Sequence, residues 1–304
     1  MPRPAPVTIA TRSCSHPSNM SGSRSMGEPV DVIGSHVAQL PAIDGRWIPR
    51  AVPREEILHG LLEGRIAGPE VSHPLDNVLR NIHLLHEGDP DKLFGLSGVE
   101  TMPPQQTLAL VGQAAGFAPD PRARVGPVPI DPELVLQACL RAGDRLADAV
   151  RRRERVILAT GHPVGLAHLY VELARELRAR GVRLHSPADG VAWRDPDRPH
   201  PWRIRYLDGV AVLTDDQRPR HTHSPDAMAR ILERERPDLV FADHGFAGAA
   251  IERGVETVSI ADVNDPALLV ARAQGRTELV IVMDDHVAPE AYWPCFQAIV
   301  SRLP

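Results

Sequence analysis

The chain has 304 residues, a net charge of −5 with histidine neutral, 30 prolines and 4% aromatic residues. That length gives one large domain or two modest ones, with ample material for a core. The mild acidity argues against general nucleic-acid binding, and no apolar run approaches the roughly 20 residues that cross a bilayer. Cys14, Cys139 and Cys295 are far apart, odd in number and without metal-type spacing. They fit a reducing cytoplasm better than a disulfide framework or a thiolate zinc site. No apolar h-region accompanies Arg3 and Arg12, so no signal peptide is expected. Met20 and Met26 leave room for a later start.

Residues 1–50 are rich in Pro, Ser, Gly and Arg and lack periodicity, so they read as a disordered tail. From Pro53 the pattern turns helical. Pro53 with Glu55 and Glu56 opens a first helix, and Ile57, Leu58, Leu61, Leu62 and Ile66 form its apolar stripe. A second helix is expected over 74–87. Asn77 and Asn81, four apart, share one direction on it. They form either a solvated face or a pair of amides leaning over a ligand. Two more helices are expected at 105–116 and 131–153. The latter has Asp131 as N-cap, Pro132 at N1 and an Arg151-Arg152-Arg153 end that complements the helix dipole. Residues 51–153 thus read as an α-helical region or cap.

From 154 to 304 strands and helices alternate, which predicts a Rossmann-like α/β domain with a mainly parallel sheet. Strand 156–159 leads through a glycine turn into helix 166–180, which Gly181 ends. Strand 182–184 follows. Residues 189–201 read as a loop and 203–213 as a hairpin turning at Asp208-Gly209. Ser224 and Pro225 cap a helix reaching 235. Then come strands 239–242, 256–261 and 279–283, each with a helix behind it, the last near 289–302.

The chemistry-bearing residues gather where these strands stop. Gly161-His162-Pro163-Val164-Gly165 follows a strand and opens a helix, where backbone N–H groups can meet a phosphate. It lacks the spacing of a dinucleotide or P-loop fingerprint. His162 is either a locally bonded turn residue or a functional one. His221 and His223, just before Ser224, suit an anion pocket or a metal. Asp243-His244, the turn of Asp262, Val263, Asn264 and Asp265, and Asp284-Asp285-His286 end three successive strands. Asp265, followed by Pro266, reads as an N-cap. Carboxylates concentrated in this way repel one another unless a cation neutralises them. An oxygen-rich set with a few imidazoles suits Mg²⁺ or Mn²⁺, with Co²⁺, Ni²⁺ and Fe²⁺ as alternatives. No GxSxG elbow, CxxC or HExxH is present. The cluster Tyr292, Trp293 and Phe296 reads as packing of the terminal helix.

The segments ATGHPVGL (159–166), HTHSP (221–225), ADHGFAGAAI (242–251), ADVNDPAL (261–268) and DDHVAP (284–289), with LDNVLRNIHLL (75–85), resemble an actinobacterial family whose members are labelled phosphatase. The resemblance covers 53–304 and implies phosphatase activity. A more distant likeness, in logic alone, is to the metal-dependent damage-control phosphatases, whose metal sits among Asp and Asn side chains at strand ends.

The expectation is therefore a metal-dependent phosphohydrolase acting on a small phosphorylated metabolite. Asp243, Asp262, Asn264 and Asp284 would hold the cation. Gly161, His162, His221, His223 and Ser224, with Asn77 and Asn81, would bind substrate or phosphate. His244, Asp243 or Asp285 would handle catalysis and proton transfer. A non-catalytic nucleotide or phosphosugar binding protein, or a metal-dependent lyase or isomerase, would use the same pocket. The turns at 161, 243, 262 and 284 should line one edge of a single sheet.

Overall fold

The computed structural model of the chain describes residues 52–304 apart from 121, 197 and 198. The expected tail at 1–50 lies outside them. The first described segment is helical, for the reasons its punctuation suggests. Helix α1 (Arg54–Glu63) starts after Pro53 and buries Ile57 and Leu61. Helix α2 (Leu75–His86) buries Leu75, Val78, Ile82 and Leu85 on one stripe, and Asn81 with them. Helix α4 (Pro104–Ala115) stops at the left-handed Gly116. Helix α5 (Pro132–Arg152) is capped by Asp131, whose carboxylate accepts from Glu133 N at 2.9 Å, and its terminal arginines are solvated. Between α2 and α4 lie helix α3 (Pro90–Leu93) and a 3₁₀ turn (Val99–Thr101), where no element was expected. Both are too short to show a period. Asp89 and Pro90 supply the cap of α3.

The rest is the sheet and its crossovers. The strands are β1 (Arg155–Ala159), β2 (Arg183–Leu184), β3 (Ala192–Trp193), β4 (Trp202–Leu207), β5 (Val210–Thr214), β6 (Leu239–Asp243), β7 (Thr257–Ala261) and β8 (Leu279–Val282). The helices are α6 (Pro163–Ala179), α7 (Asp226–Arg234), α8 (His244–Glu252), α9 (Ala267–Ala273) and α10 (Trp293–Val300). The eight-stranded open sheet runs β3-β4-β5-β1-β6-β7-β8, with β2 paired to the start of β1. Strands β5, β1, β6, β7 and β8 are mutually parallel, while β4 and β3 are antiparallel. One expectation is corrected here. The stretch read as a loop at 189–201 contains β3, whose two residues pair with Arg203 and Trp202. So short an edge strand leaves no alternation to detect. The hairpin turn is as expected, with Asp208 at φ 46° and Gly209 at φ 95°, the signs a type I′ turn needs.

Strands β5, β6, β7 and β8 are buried at every residue, and β1 at all but its first. That explains why these strands are mostly apolar without alternation, since helices cover both faces of a parallel sheet. Helices α1, α5, α6 and α10 pack among themselves, and α7, α8 and α9 form a second set with α4 against α9. One continuous core joins Leu61, Val78 and Val135 of the helical segment to the strands. From β1 the chain passes through α6 to β5, then returns to β6 on the other side of β1. The winding reverses between β1 and β6. In such sheets the crevice for a ligand opens at the carboxyl ends of those two strands.

Candidate active site

His162 follows β1, His221 and His223 follow β5, and Asp243 with His244 ends β6. Asp262 and Asp265 follow β7, and Asp284 and Asp285 follow β8. Because these strands are parallel neighbours, the four expected turns do share one edge, and the 221–223 segment joins them. Two close approaches let the turns meet. A β-carbon on Gly161 would lie 2.5 Å from the Thr222 carbonyl oxygen and 2.9 Å from His244 Cβ, and one on Gly245 would lie 2.2 Å from the His223 carbonyl oxygen.

The side chains are buried to an extent that needs explaining. Asp243, Asp262 and Asp284 are 0% exposed, Asp285 and His244 3%, and Asp265 5%. Transferring an ion from water to such a position costs several kcal/mol before compensation. Among the described residues the ion-pair partners of these carboxylates are His73 and His244, not lysine or arginine. His244 Nδ1 bonds Asp243 Oδ1 at 2.7 Å, while its Nε2 faces Asp265 Oδ2 at 3.4 Å and Asp285 Oδ2 at 3.6 Å. Burial pulls the imidazole down, but the Asp243 hydrogen bond and the charges of Asp265, Asp285 and Asp243 outweigh it and push His244 up to about 10. Its backbone sits at φ 47°, left-handed for a residue with a β-carbon. Strain of that kind collects at functional sites.

The carboxylates divide accordingly. Asp243 is held below its usual range: burial raises it, and the His244 hydrogen bond and charge override that. Asp285 is pushed well above the usual range by burial and by Asp262, Asp265 and Asp243, against the pull of His244. Burial also raises Asp262, despite a 2.9 Å bond from its Oδ2 to His73 Nδ1. His73 in turn is raised, since that bond and the charges of Asp262, Asp265 and Asp284 exceed the burial penalty. Asp284 accepts from Ser72 N at 2.6 Å and from His286 N at 2.9 Å.

The histidines form a wall. His162 packs 4.7 Å from His221 and 5.8 Å from His244, and His223 lies 4.9 Å from His244. His286 stands 6.0 Å from both His162 and His73. Burial and the nearby His244 charge lower His162 and His223, and they bring His221 down to about 3. His162 Nδ1 accepts from Gly165 N at 3.3 Å, so its Nε2 carries the hydrogen of the neutral ring. His223 Nδ1 meets Asp91 O at 2.9 Å and Asp91 Oδ2 at 3.0 Å, and its Nε2 meets His221 Nε2 at 2.8 Å.

Several expected residues have different work. Gly161 N donates to Asp243 Oδ1, His162 N to Thr160 Oγ1, and Gly165 N to His162 Nδ1. Three of the turn's N–H groups are thus engaged within the protein. Ser224 Oγ accepts from Asp226 N at 3.2 Å, so its hydroxyl serves the start of α7. Asn77 and Asn81 are not a solvated face. Asn81 Nδ2 donates to Asn264 O and Asn77 Oδ1 accepts from Asn264 Nδ2, both at 3.0 Å. They brace the β7 turn, leaving Asn264 Oδ1 buried without a partner. The reading of Asp265 as an N-cap is corrected: Pro266 occupies that position with no side-chain cap, and the Asp265 carboxylate faces His244 instead. Sequence reasoning missed His73 and Asp91, and gave His286 no role of its own. His73-Pro74 enters α2 as His162-Pro163 enters α6, a shared pattern that would have drawn attention to His73.

Among the described residues three sets of ligand-type side chains have their atoms within 4.8 Å of one another inside each set: His73, Asp262 and Asp284; His244, Asp265 and Asp285; His221, His223 and His244. Asp243 and Asn264 fall outside these sets. A cleft of about 910 Å³ reaches the site through Asp284 and His286 and is walled by Arg65, Ser72 and Trp293. Its walls include neither His244 nor Asp265.

Residues 52–304 match the family model described as Phosphatase. The chain is also 36% identical over 253 residues to Phosphatase SCO2771 of Streptomyces coelicolor, covering 81% of this chain and 94% of that protein. No solved structure matches it. The buried strand-end site thus sits inside the matched region, and the chain belongs to the Phosphatase family, a family of phosphatase enzymes.

Proposed function

We propose that the enzyme is a metal-dependent phosphohydrolase acting on small phosphorylated metabolites. The observation that carries this reading is the gathering of buried Asp and His ligand atoms into sets 4.8 Å across at the carboxyl edge of the sheet. The donor set fits a divalent cation. Asp285 Oδ2 is buried with no hydrogen-bond partner among the described residues, and carboxylate with imidazole suits Mn²⁺, Fe²⁺, Co²⁺ or Ni²⁺. Asp262, Asp284 and His73 would hold such an ion, with His244, Asp265 and Asp285 close by. When bound, it supplies Lewis acidity toward a phosphoryl oxygen and lowers the pKa of water.

The chain's own residues do the rest. His162 presents a neutral Nε2–H to a phosphoryl oxygen. Asp243 fixes the His244 ring through Nδ1, so that Nε2 faces the carboxylates. This reading moves His244 and Asp285 from proton transfer to the cation. Proton traffic falls instead to the chain from His221 Nε2 through His223 to Asp91, whose carboxylate is exposed. The 910 Å³ cleft is of metabolite size.

The test is phosphate release from a panel of small phosphorylated metabolites with Mg²⁺, Mn²⁺, Co²⁺ or Ni²⁺. Release with at least one metal, abolished by EDTA and restored by adding the metal back, is the expected outcome. Full release by protein shown metal-free by elemental analysis would overturn the metal dependence. Tight binding of a phosphorylated metabolite without release under any metal would favour a binding protein.

A further inference from the structure

We propose that the site holds two divalent cations at separate positions, an outer one among His73, Asp262 and Asp284, and an inner one at His244, Asp265 and Asp285. The proposal rests on the metal-dependent reading above. No group of ligand atoms within 4.8 Å of one another spans both sets among the described residues, whereas ligands about 2.1 Å from one cation stand at most about 4.2 Å apart, so one ion does not take both complete sets. The outer set borders the cleft through Asp284; the inner set is sealed, each member 5% exposed or less.

The inner geometry is that of ligands around an ion. His244 Nε2 lies 3.4 Å from Asp265 Oδ2 and 3.6 Å from Asp285 Oδ2, beyond ordinary hydrogen-bond lengths. Two ligands each about 2.1 Å from a tetrahedral cation stand roughly 3.4 Å apart. Asp285 Oδ2 is buried with no hydrogen-bond partner, so an acceptor points into this position with no donor to receive it. On the far side of the ring, Asp243 Oδ1 bonds Nδ1 at 2.7 Å, the carboxylate–histidine support that orients metal-ligating imidazoles.

The positions adjoin where Asp285 N donates to Asp262 Oδ2 at 3.3 Å. Their chemistry differs. The outer set has two carboxylates and one imidazole and borders the cleft, which suits a hard cation such as Mn²⁺. The inner position also has the His221 and His223 rings within reach of His244, which shifts preference toward Co²⁺, Ni²⁺ or Zn²⁺.

To test this, the full chain is stripped with EDTA and dialysed against Co²⁺. Bound metal is then counted by elemental analysis and read by visible absorbance, with circular dichroism as a fold check. The wild type should hold about two Co²⁺ per chain. His73→Ala should hold about one and keep the inner-site absorbance, whereas Asp265→Asn should hold about one and lose it. Saturation of the wild type at about one Co²⁺, or loss of both ions from a folded single variant, would overturn the proposal. If Asp265→Asn fails to fold, the wild-type count and His73→Ala still decide. Phosphate release with a single ion bound sinks the two-cation inference and leaves the metal-dependent phosphatase standing. Two bound ions without phosphate release do the reverse.

Discussion

On the antiparallel side of the sheet, Arg203 of β4 pairs with Asp216, and Arg175 bonds Asp208 of the hairpin turn at 2.8 Å. At the opposite, amino end of β1, Arg155 holds Asp238, pushing that carboxyl down to about 2 through its hydrogen bonds and charge. These pairs are largely solvated and each acid has its own guanidinium. At the carboxyl ends of β6, β7 and β8, five carboxylates are buried, and among the described residues their ion-pair partners are His73 and His244. An exposed pair is a small matter for stability. A buried carboxylate surplus is a standing cost to folding, and it is the contrast on which the proposed cation site rests.

The largest effect expected from breaking this contrast is at Asp262, which receives Val263 N, Asp285 N and His73. Asp262→Asn should lower metal-dependent phosphate release by on the order of 10²–10³-fold. It should also leave the metal-free protein as stable as the wild type or more so, because a buried like charge is gone. A melting temperature that falls along with activity would mean the carboxylate serves the fold. Asp243→Asn comes next. It touches no reacting group but holds His244, so it should weaken metal affinity by roughly 10–100-fold, read as a shift in the metal concentration needed for half-maximal release. An unchanged metal requirement would remove Asp243 from that supporting role.

A third test reads the charge balance through pH. His244 binds its proton more tightly folded than unfolded, with a folded value of about 10 against an ordinary 6.5. Its contribution to stability is therefore fully present below about 6.5 and lost as pH rises through about 10. Asp285, also raised, acts in the same direction as pH climbs from the usual carboxylate range. His221, lowered to about 3, works oppositely and removes stability as pH falls below 6.5. Metal-free protein should thus lose melting temperature from pH 6.5 to 10, and metal-loaded protein should lose much less, because the cation replaces the protons. Parallel curves with and without metal would contradict that substitution.

The sheet was legible because its parallel strands are mostly apolar and end abruptly. Leu239–Asp243 and Thr257–Ala261 needed no pairing information to be found. The strand-end site followed from the same punctuation, since Asp243, Asp262 and Asp284 each stop a run. What stayed hidden depended on contacts distant in the chain. His73 meets Asp262 across 189 positions and Asn81 meets Asn264 O across 183, and no local pattern encodes such a bond. Asp265 misled because Asp-Pro is good capping chemistry anywhere. Only the neighbouring β6 turn, which brings His244 alongside, turns its carboxylate to another use.

The smallest effect should come from the antiparallel side, and it tests whether the contrast is one of place rather than of residue type. Arg203→Ala removes a guanidinium that bonds Asp216 and donates to Gly190 O at 2.8 Å. The pair is solvated and stands at the far edge of the sheet from β8, so Asp216 returns to water without penalty. Phosphate release and bound metal should be unchanged, and the melting temperature should move only slightly, through the lost bond to Gly190. The same loss of one charged partner at Asp262 is expected to cost orders of magnitude in activity. If Arg203→Ala instead lowered release or bound metal, the β3–β4 edge would be coupled to the site, and burial at the parallel strand ends would no longer be what separates the two regions.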